Sequence, residues 1–494
     1  MTRRNVKAGY STQSGFGLDA FSDDELKSIH LATLHVFQNT GIKLEHDEAI
    51  EIFAGAGARV EKHDGYAIVK IPNYVVEDCM RKVPKTVTYY GRRPEDDFVA
   101  EDKRLGFTAG FGESIKVIDL ETRELRSSTK EDLATVTKIQ DYLDVITIIE
   151  RAVCSGDQLP ATQSIHNYHA MVKNSSKHCF LGFGGGENAK VIIELAKIAA
   201  GGEKAFQERP IVTAFVCPTS PLAMVEECSS SIIECAREGV GISVIPMSLS
   251  GASSAASLAS VVVQHNVEVL SAFILAQLVN PGTACTYAGC STIMDLRLAT
   301  SPVGVPELAL LSVATAKMAQ FYQVPSLVGG CASDSKIPDA QQAYDFSLTT
   351  IPAALAGANT IFGVGAIESI LTFDYAALIT GAEQAERIVR LVGGIDVNDE
   401  TMALDLIHEV GPGGHFISHK HTFNHMKEMS QAKLFDRKTR ERWEVESGGK
   451  SLSELAYVEA KRIADTHVPL ALPDGVEKEM DALLEAHEAQ FLLI

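Results

Sequence analysis

"VPSLVGGCASDSKIPDAQ", residues 324–341, is an apolar run that halts at two glycines, a burst of polar residues, and the start of a helical pattern. The run from Val324 to Gly330 carries no charge. It is apolar on both faces, as a strand must be when helices cover one side and core the other. Ser333, Asp334, Ser335 and Lys336 then crowd into four positions. A surface turn needs fewer polar groups, and a ligand site accounts for them better.

The same rhythm recurs along the chain. "GFTAGFG" (106–112), "VITIIERAVCSG" (145–156), "KHCFLGFGGG" (177–186), "PIVTAFVCPTS" (210–220), "GISVIPMSLSG" (241–251), "TACTYAGC" (283–290), "PSLVGGC" (325–331) and "NTIFGVGAIES" (359–369) all read as buried strands. Helical patterns between them begin near Ala161, Asn188, Met224, Ser257, Pro306, Pro338 and Tyr375. Strands alternating with helices predict a parallel α/β architecture, and this number fits a (β/α)8 TIM barrel over residues 106–400. An open doubly wound sheet is the runner-up, but no GxGxxG opens a helix after the first strand. After that strand, "IKVIDLETRELRSS" predicts an inserted hairpin ahead of a helix starting near Thr129. Residues 1–105 predict a mixed α/β extension whose first helix opens on a Ser22/Glu25 capping box and runs through Phe37. Residues 401–494 predict additional C-terminal helices that pack on the barrel or join subunits.

Composition narrows the class. The chain has 494 residues, 46% of them hydrophobic, and a net charge of −20. Such an acidic surface argues against nucleic acid or an anionic membrane as the main partner. The most apolar stretch, Val261–Val279, contains Gln264, His265, Asn266 and Glu268 and reads as a buried helix. The N-terminus shows no secretory pattern, and nine scattered cysteines form no CxxC pair. Both point to reduced thiols in the cytoplasm.

A barrel carries its site at the C-terminal ends of its strands. Those ends offer aromatics, Phe111, Phe183, Tyr287 and Phe362, with carboxylates Glu113, Asp157 and Asp334. They offer no strand lysine for a Schiff base and no phosphate-binding lysine after "FGGGEN". Aromatic faces with a few carboxylates suit a poorly hydrated cation such as a quaternary amine. Plain core packing is the other reading of each aromatic. An N-cap on the helix near Pro338 is the other reading of Asp334. In "GPGGHFISHKHTFNH", His415, His419, His421 and His425 have spacing open to zinc, to ligand or partner contact, or to a structural loop. The expectation is no metal.

"SDSKIPDAQ", "VCPTSPL", "QLVNPGTACTYAG" and "EVGPGGHFISHKHT" followed by "LFDR" resemble the trimethylamine methyltransferase family over essentially the whole chain. The resemblance implies a (β/α)8 fold and transfer of a methyl group from a methylated amine to the cobalt of a separate corrinoid protein. The trimethylamine enzymes carry pyrrolysine in or next to the stretch matching "SDSKIPD". Here every residue is ordinary and the chain reads through Ile337. That departure implies the non-pyrrolysine branch, whose members act on glycine betaine and other betaines. A quaternary nitrogen already carries its charge and leaves as a neutral tertiary amine. The resemblance also implies cobalamin brought by the partner. "DTHVPL" places Asp465 and His467 but has Leu470 where a corrinoid-binding motif needs glycine.

The resulting expectation is a cytoplasmic, homo-oligomeric glycine betaine:corrinoid methyltransferase whose substrate contacts are Phe111, Glu113, Phe183, Tyr287, Asp334, Phe362 and His415. The alternatives are an enzyme for proline betaine or carnitine, a zinc-dependent corrinoid methyltransferase using the histidines, and a betaine-binding sensor without turnover.

Overall fold

The computed structural model describes residues 17–111 and 115–491. Eight strands form one parallel sheet: β1 Gly106–Ala109, β2 Ile149–Glu150, β3 Cys179–Gly182, β4 Val212–Val216, β5 Gly241–Val244, β6 Cys285–Gly289, β7 Ser326–Gly329 and β8 Thr360–Val364. Each lies within one of the eight predicted runs, in chain order. Neighbours in the sheet are neighbours in sequence, and β8 returns to pair with β1. A parallel bridge between Phe107 and Ile146 closes the ring, with Thr147 N donating to Phe107 O at 2.9 Å. The fold is a closed barrel, and the open sheet is excluded.

Each strand leads to a helix: α1 Lys130–Tyr142, α2 Gln163–Lys173, α3 Gly186–Ala200, α4 Glu226–Arg237, α5 Leu258–Val279, α6 Pro306–Tyr322, α7 Ala340–Leu355 and α8 Tyr375–Val392. Strand alternation sorts the core into two layers. Leu181, Ala214, Val244 and Val328 pack outward against the helices, while Phe180, Phe215, Ile245, Ala288, Leu327 and Phe362 fill the interior. Helix α5 is long and apolar enough to cross a membrane, but 72% of its apolar window is buried inside the protein.

The N-terminal end of the barrel is stoppered. A hairpin of Val87–Tyr89 and Phe98–Ala100 inserts Tyr89 and Phe98 into the interior cluster. Tyr89 Oη lies 2.6 Å from Thr286 Oγ1 on β6. The preceding extension opens on helix Asp23–Asn39, with the expected capping box at Ser22 and Glu25. Its strand Ile42–Leu44 pairs in parallel with Ala223–Met224 in the loop after β4, which ties the extension to the barrel.

The predicted insertion after β1 is a hairpin of Lys116–Ile118 and Leu125–Ser127. It pairs with Thr372–Phe373, and thence Ala366–Ile367, in the loop after β8, so a small four-stranded sheet stands beside the mouth. At the C-terminus, α9 Leu452–Thr466 lies against α8 and α1. Helix α10 Val476–Glu488 is held to α2 by His169–Asp481 (2.8 Å) and His166–Glu488 (2.5 Å) contacts.

Candidate active site

The site is assembled from residues that β1, β2, β3, β4 and β8 turn inward. Phe362 comes from β8. Pairing of β8 with β1 slips between Ile361 and Val364, where Gly363 adopts φ +116°. A Cβ there would lie 2.2 Å from Gly330 O, so the slip needs glycine. Beyond β1, Phe111 stacks on Phe362 with centroids 4.6 Å apart and planes inclined by 21°. Phe215 of β4 stacks on Phe111 at 6.2 Å, and Phe180 of β3 tilts against Phe215 at 5.6 Å. Four phenylalanine rings, three from strands and one from just beyond β1, therefore meet inside the barrel.

Glu150 ends β2 in register with Phe180, so it points into the same space. Thr108 Oγ1 donates to its Oε2. Its Oε1 is buried and has no hydrogen-bond partner among the described residues. Burial pushes the carboxyl well above the usual carboxylate range, more than the Thr108 hydrogen bond and the nearby Arg151 charge pull it back. Glu150 also contributes to raising the thiol of Cys290 at the end of β6, pushed up to about 12 chiefly by burial. Arg151, only 8% exposed, carries its guanidinium 5.9 Å from the Phe215 ring centroid. The arrangement is an aromatic chamber with one carboxyl short of a partner and one buried cation at its edge.

Of the residues expected from sequence, Phe111 and Phe362 stand in this chamber. Glu113 lies outside the described residues. Phe183 turns the other way: it follows Phe180 by three positions and packs with the outer layer. Tyr287 is also corrected. It points from β6 into the helix layer, where Oη donates to Asn266 Oδ1 at 2.9 Å and the ring stacks on Tyr322. Neither ring faces the mouth, because strand alternation gives that side to Phe180 and Ala288.

Asp334 sits in the polar burst after β7, and each of its oxygens is used. Oδ1 accepts from Val303 N (2.8 Å) and Ser369 Oγ (2.7 Å), and Oδ2 from Gly304 N (2.9 Å). It thus pins the loops after β6 and β8 to the loop after β7. The cap of α7 is Asp339, which accepts from Gln342 N at 3.0 Å, so the capping reading of Asp334 is corrected. Ser333 donates to Asp345 at 2.7 Å. The polar burst after β7 is a loop clamp. His415 is exposed, on a stretch between α8 and α9. Among the described residues no group of three or more His, Cys, Asp or Glu is placed to hold a metal ion. His467 of "DTHVPL" is engaged by Asp141 at 2.7 Å.

Sequence reasoning passed over Glu150, Arg151, Phe180 and Phe215. The signal for Glu150 was present: an acid inside an otherwise apolar strand run needs a reason to be buried. Around the mouth, the loops after β2, β6, β7 and β8 lift Leu159, Leu296, Leu298, Ile337 and Leu371 into solvent.

The family model for trimethylamine methyltransferase (MTTB) matches residues 4–491. The chain belongs to the trimethylamine methyltransferase family. It is 44% identical over 489 residues to trimethylamine methyltransferase MttB of Desulfitobacterium hafniense (strain DSM 10664 / DCB-2), covering 99% of this chain and 98% of that one. It is 30% identical to a glycine betaine methyltransferase of Desulfitobacterium hafniense (strain Y51), over 95% of this chain and 96% of that one. The crystal structure of the monomethylamine methyltransferase MtmB of Methanosarcina barkeri shares the fold, with a TM-score of 0.50 over 94% of this chain and 97% of that one at 11% identity. As a member of the family, the chain is a methyltransferase that acts with a corrinoid protein.

Proposed function

We propose that this methyltransferase takes its methyl group from a quaternary amine, glycine betaine first, and passes it to cobalamin on a separate corrinoid protein. The observation that carries the reading is Glu150: a buried carboxyl oxygen without a partner, in a chamber walled by Phe111, Phe180, Phe215 and Phe362. A trimethylammonium has no N–H to donate. It is held by aromatic faces and by charge, and this chamber supplies both. Betaine also bears a carboxylate, and Arg151 is a buried cation at the chamber's edge. The glycine betaine methyltransferase among the relatives supports the same substrate class.

The chain's part is positional. The phenylalanines and Glu150 hold the ammonium, and Arg151 holds the carboxylate, so that one methyl points out of the mouth. Cobalt(I) on the docked corrinoid protein supplies the nucleophile. The methyl–nitrogen bond breaks with its electron pair passing to nitrogen, and dimethylglycine remains as its carboxylate with a neutral tertiary amine. Exposed Leu296, Leu298, Ile337 and Leu371 give the corrinoid protein an apolar rim to seal against water, which secures alignment. The free thiols of Cys79, Cys179, Cys228, Cys235, Cys285, Cys290 and Cys331 support a cytoplasmic setting.

A second reading, trimethylamine itself, is favoured by the relative at 44% identity. Against it stands "SDSKIPD", in which every residue is ordinary. The two separate in a methyl-transfer assay with the corrinoid protein, reduced cobalamin and a panel of glycine betaine, proline betaine, carnitine and trimethylamine. Betaine turnover with trimethylamine inert is the expected result. Trimethylamine turnover equal to that of betaine sinks the quaternary-amine reading. Binding of betaine without demethylation identifies a sensor.

A further inference from the structure

The loop after β8 carries an unusual backbone. Glu368, Ser369 and Ile370 take φ of +52°, +53° and +67° in succession, and none of them is glycine. A left-handed L-residue brings its Cβ too close to the following carbonyl, so such residues occur singly and favour glycine or asparagine. For a β-branched residue such as Ile370 the position is an outlier. The turn joins Ala366–Ile367 to Thr372–Phe373 in the small sheet beside the mouth, and Leu371 N closes it on Glu368 O at 3.2 Å. Glycine would fold here without steric cost. A strained turn persists only where its surroundings fix it. Glu368 N donates to Ser335 O at 2.7 Å, Ser369 N to Ser333 O at 3.0 Å, and Ser369 Oγ to Asp334 Oδ1 at 2.7 Å. The polar loop after β7 thus holds the turn at three points.

The turn decides which side chain goes inside. Leu371 is 46% exposed, whereas Ile370 is 6% exposed and belongs to the same buried cluster as Phe111, Phe215 and Phe362. Val303, in the loop after β6, belongs to that cluster too, and Asp334 Oδ1 accepts its amide. Both residues lie in loops at the C-terminal ends of the strands, so their side chains join the cluster from the mouth. One carboxylate thus fixes two branched side chains at the open end of the chamber. Neither carries a charge or a hydrogen-bonding group, so they select by bulk alone. We infer that Ile370 sets the size of the nitrogen substituents that the chamber admits, so that the enzyme prefers methyl groups to a ring or an ethyl group. The inference rests on the amine binding in this chamber.

Two substitutions test it. Ile370→Gly removes the side chain and suits the left-handed backbone, so the turn should stay in place. Ile370→Val removes one methyl and keeps the branch. Methyl transfer to the corrinoid protein is read as kcat/KM on two pairs, each with a small and a large member: glycine betaine with proline betaine, and trimethylamine with N-ethyldimethylamine. Within the pair it turns over, the parent should favour the small member. Ile370→Gly should move that ratio toward the large member by roughly tenfold or more, and Ile370→Val should move it the same way by less. Ile388→Ala cuts back the same kind of side chain in the outer layer on α8, and should lower the melting temperature while leaving the ratio unchanged. A ratio unmoved by both Ile370 variants, or moved equally by Ile388→Ala, overturns the inference. Each pair is read separately, so turnover of trimethylamine in place of betaine sinks the quaternary-amine reading and leaves the trimethylamine pair to decide the role of Ile370. Phe215→Leu, assayed alongside, separates the remaining failures. If it weakens the amine while the Ile370 variants leave the ratio fixed, the size gate alone falls; if it too behaves like the parent, the amine binds elsewhere and both readings fall.

Discussion

Glu150→Gln is the most informative single substitution. The empty barrel holds this carboxyl protonated well above 4.5, because burial disfavours its charged form and Oε1 has nothing to accept from. A quaternary ammonium keeps its charge at every pH. Seated against Oε1, it makes the ionised carboxyl favourable and drives the proton out. Betaine affinity should therefore rise roughly tenfold per pH unit between the carboxyl's value with betaine bound and its raised value when empty, then level off. Folding shows the opposite sign. Above 4.5 the unfolded chain loses this proton while the native chain keeps it, so native stability falls by roughly a factor of ten in the unfolding constant per pH unit until the raised value is reached. Gln keeps the shape and the bond to Thr108 but has no proton to lose. The variant should bind betaine weakly with a flat pH profile, and should melt above the parent at pH 7 by more than at pH 5. Calorimetric titration in two buffers of different ionisation enthalpy counts the proton: up to one released per betaine by the parent, none by the variant. Equal proton counts and an equal melting difference at both pH values would refute the placement of the ammonium at Glu150.

Phe111→Leu, Phe215→Leu and Phe362→Leu remove a π face while keeping apolar bulk, and each should raise the betaine dissociation constant by up to roughly thirtyfold, the value of a desolvated cation–π contact of about 2 kcal/mol. Tyr287→Phe, outside the chamber, should leave that constant unchanged in the same titration and cost about 1 kcal/mol in urea unfolding for its lost bond to Asn266. Asp334→Asn turns an NH2 toward an amide or hydroxyl donor and should lower stability by about 1–3 kcal/mol while leaving betaine binding near the parental value, read by thermal melting beside calorimetry. Leu298→Asp should weaken capture of the corrinoid protein in a pull-down and leave betaine affinity untouched.

The barrel was legible because its signal is repeated: eight apolar runs, each followed by a helical pattern, allow few other folds. The resemblance carried the chemistry. The chamber was less legible, and the reason lies in direction. Proximity to a strand's end selected Phe183 and Tyr287, whereas a period of two counted from within β3 and β6 sends both outward and brings Phe180 inward. The same count places Phe215 inside with Thr213. Glu150 was visible as an acid in an apolar strand. Asp334 misled because a carboxylate at a barrel mouth looks like a ligand group, and only three-dimensional neighbours reveal that the amides of Val303 and Gly304 and the hydroxyl of Ser369 already use its oxygens. The slip at Gly363, which lets Phe362 stack on Phe111, depends on the approach of Gly330, and sequence spacing does not encode that approach.

The Tyr89–Phe98 stopper makes the barrel a blind tube. A tube with one door imposes an order on its traffic. The amine must enter before the door is covered, and the demethylated product is trapped behind whatever covers it. On the proposed mechanism, the corrinoid protein stands in that doorway, so each cycle includes its departure. A large excess of corrinoid protein should then slow steady turnover by barring the exit, and the demethylated amine should compete with the incoming one for the same passage.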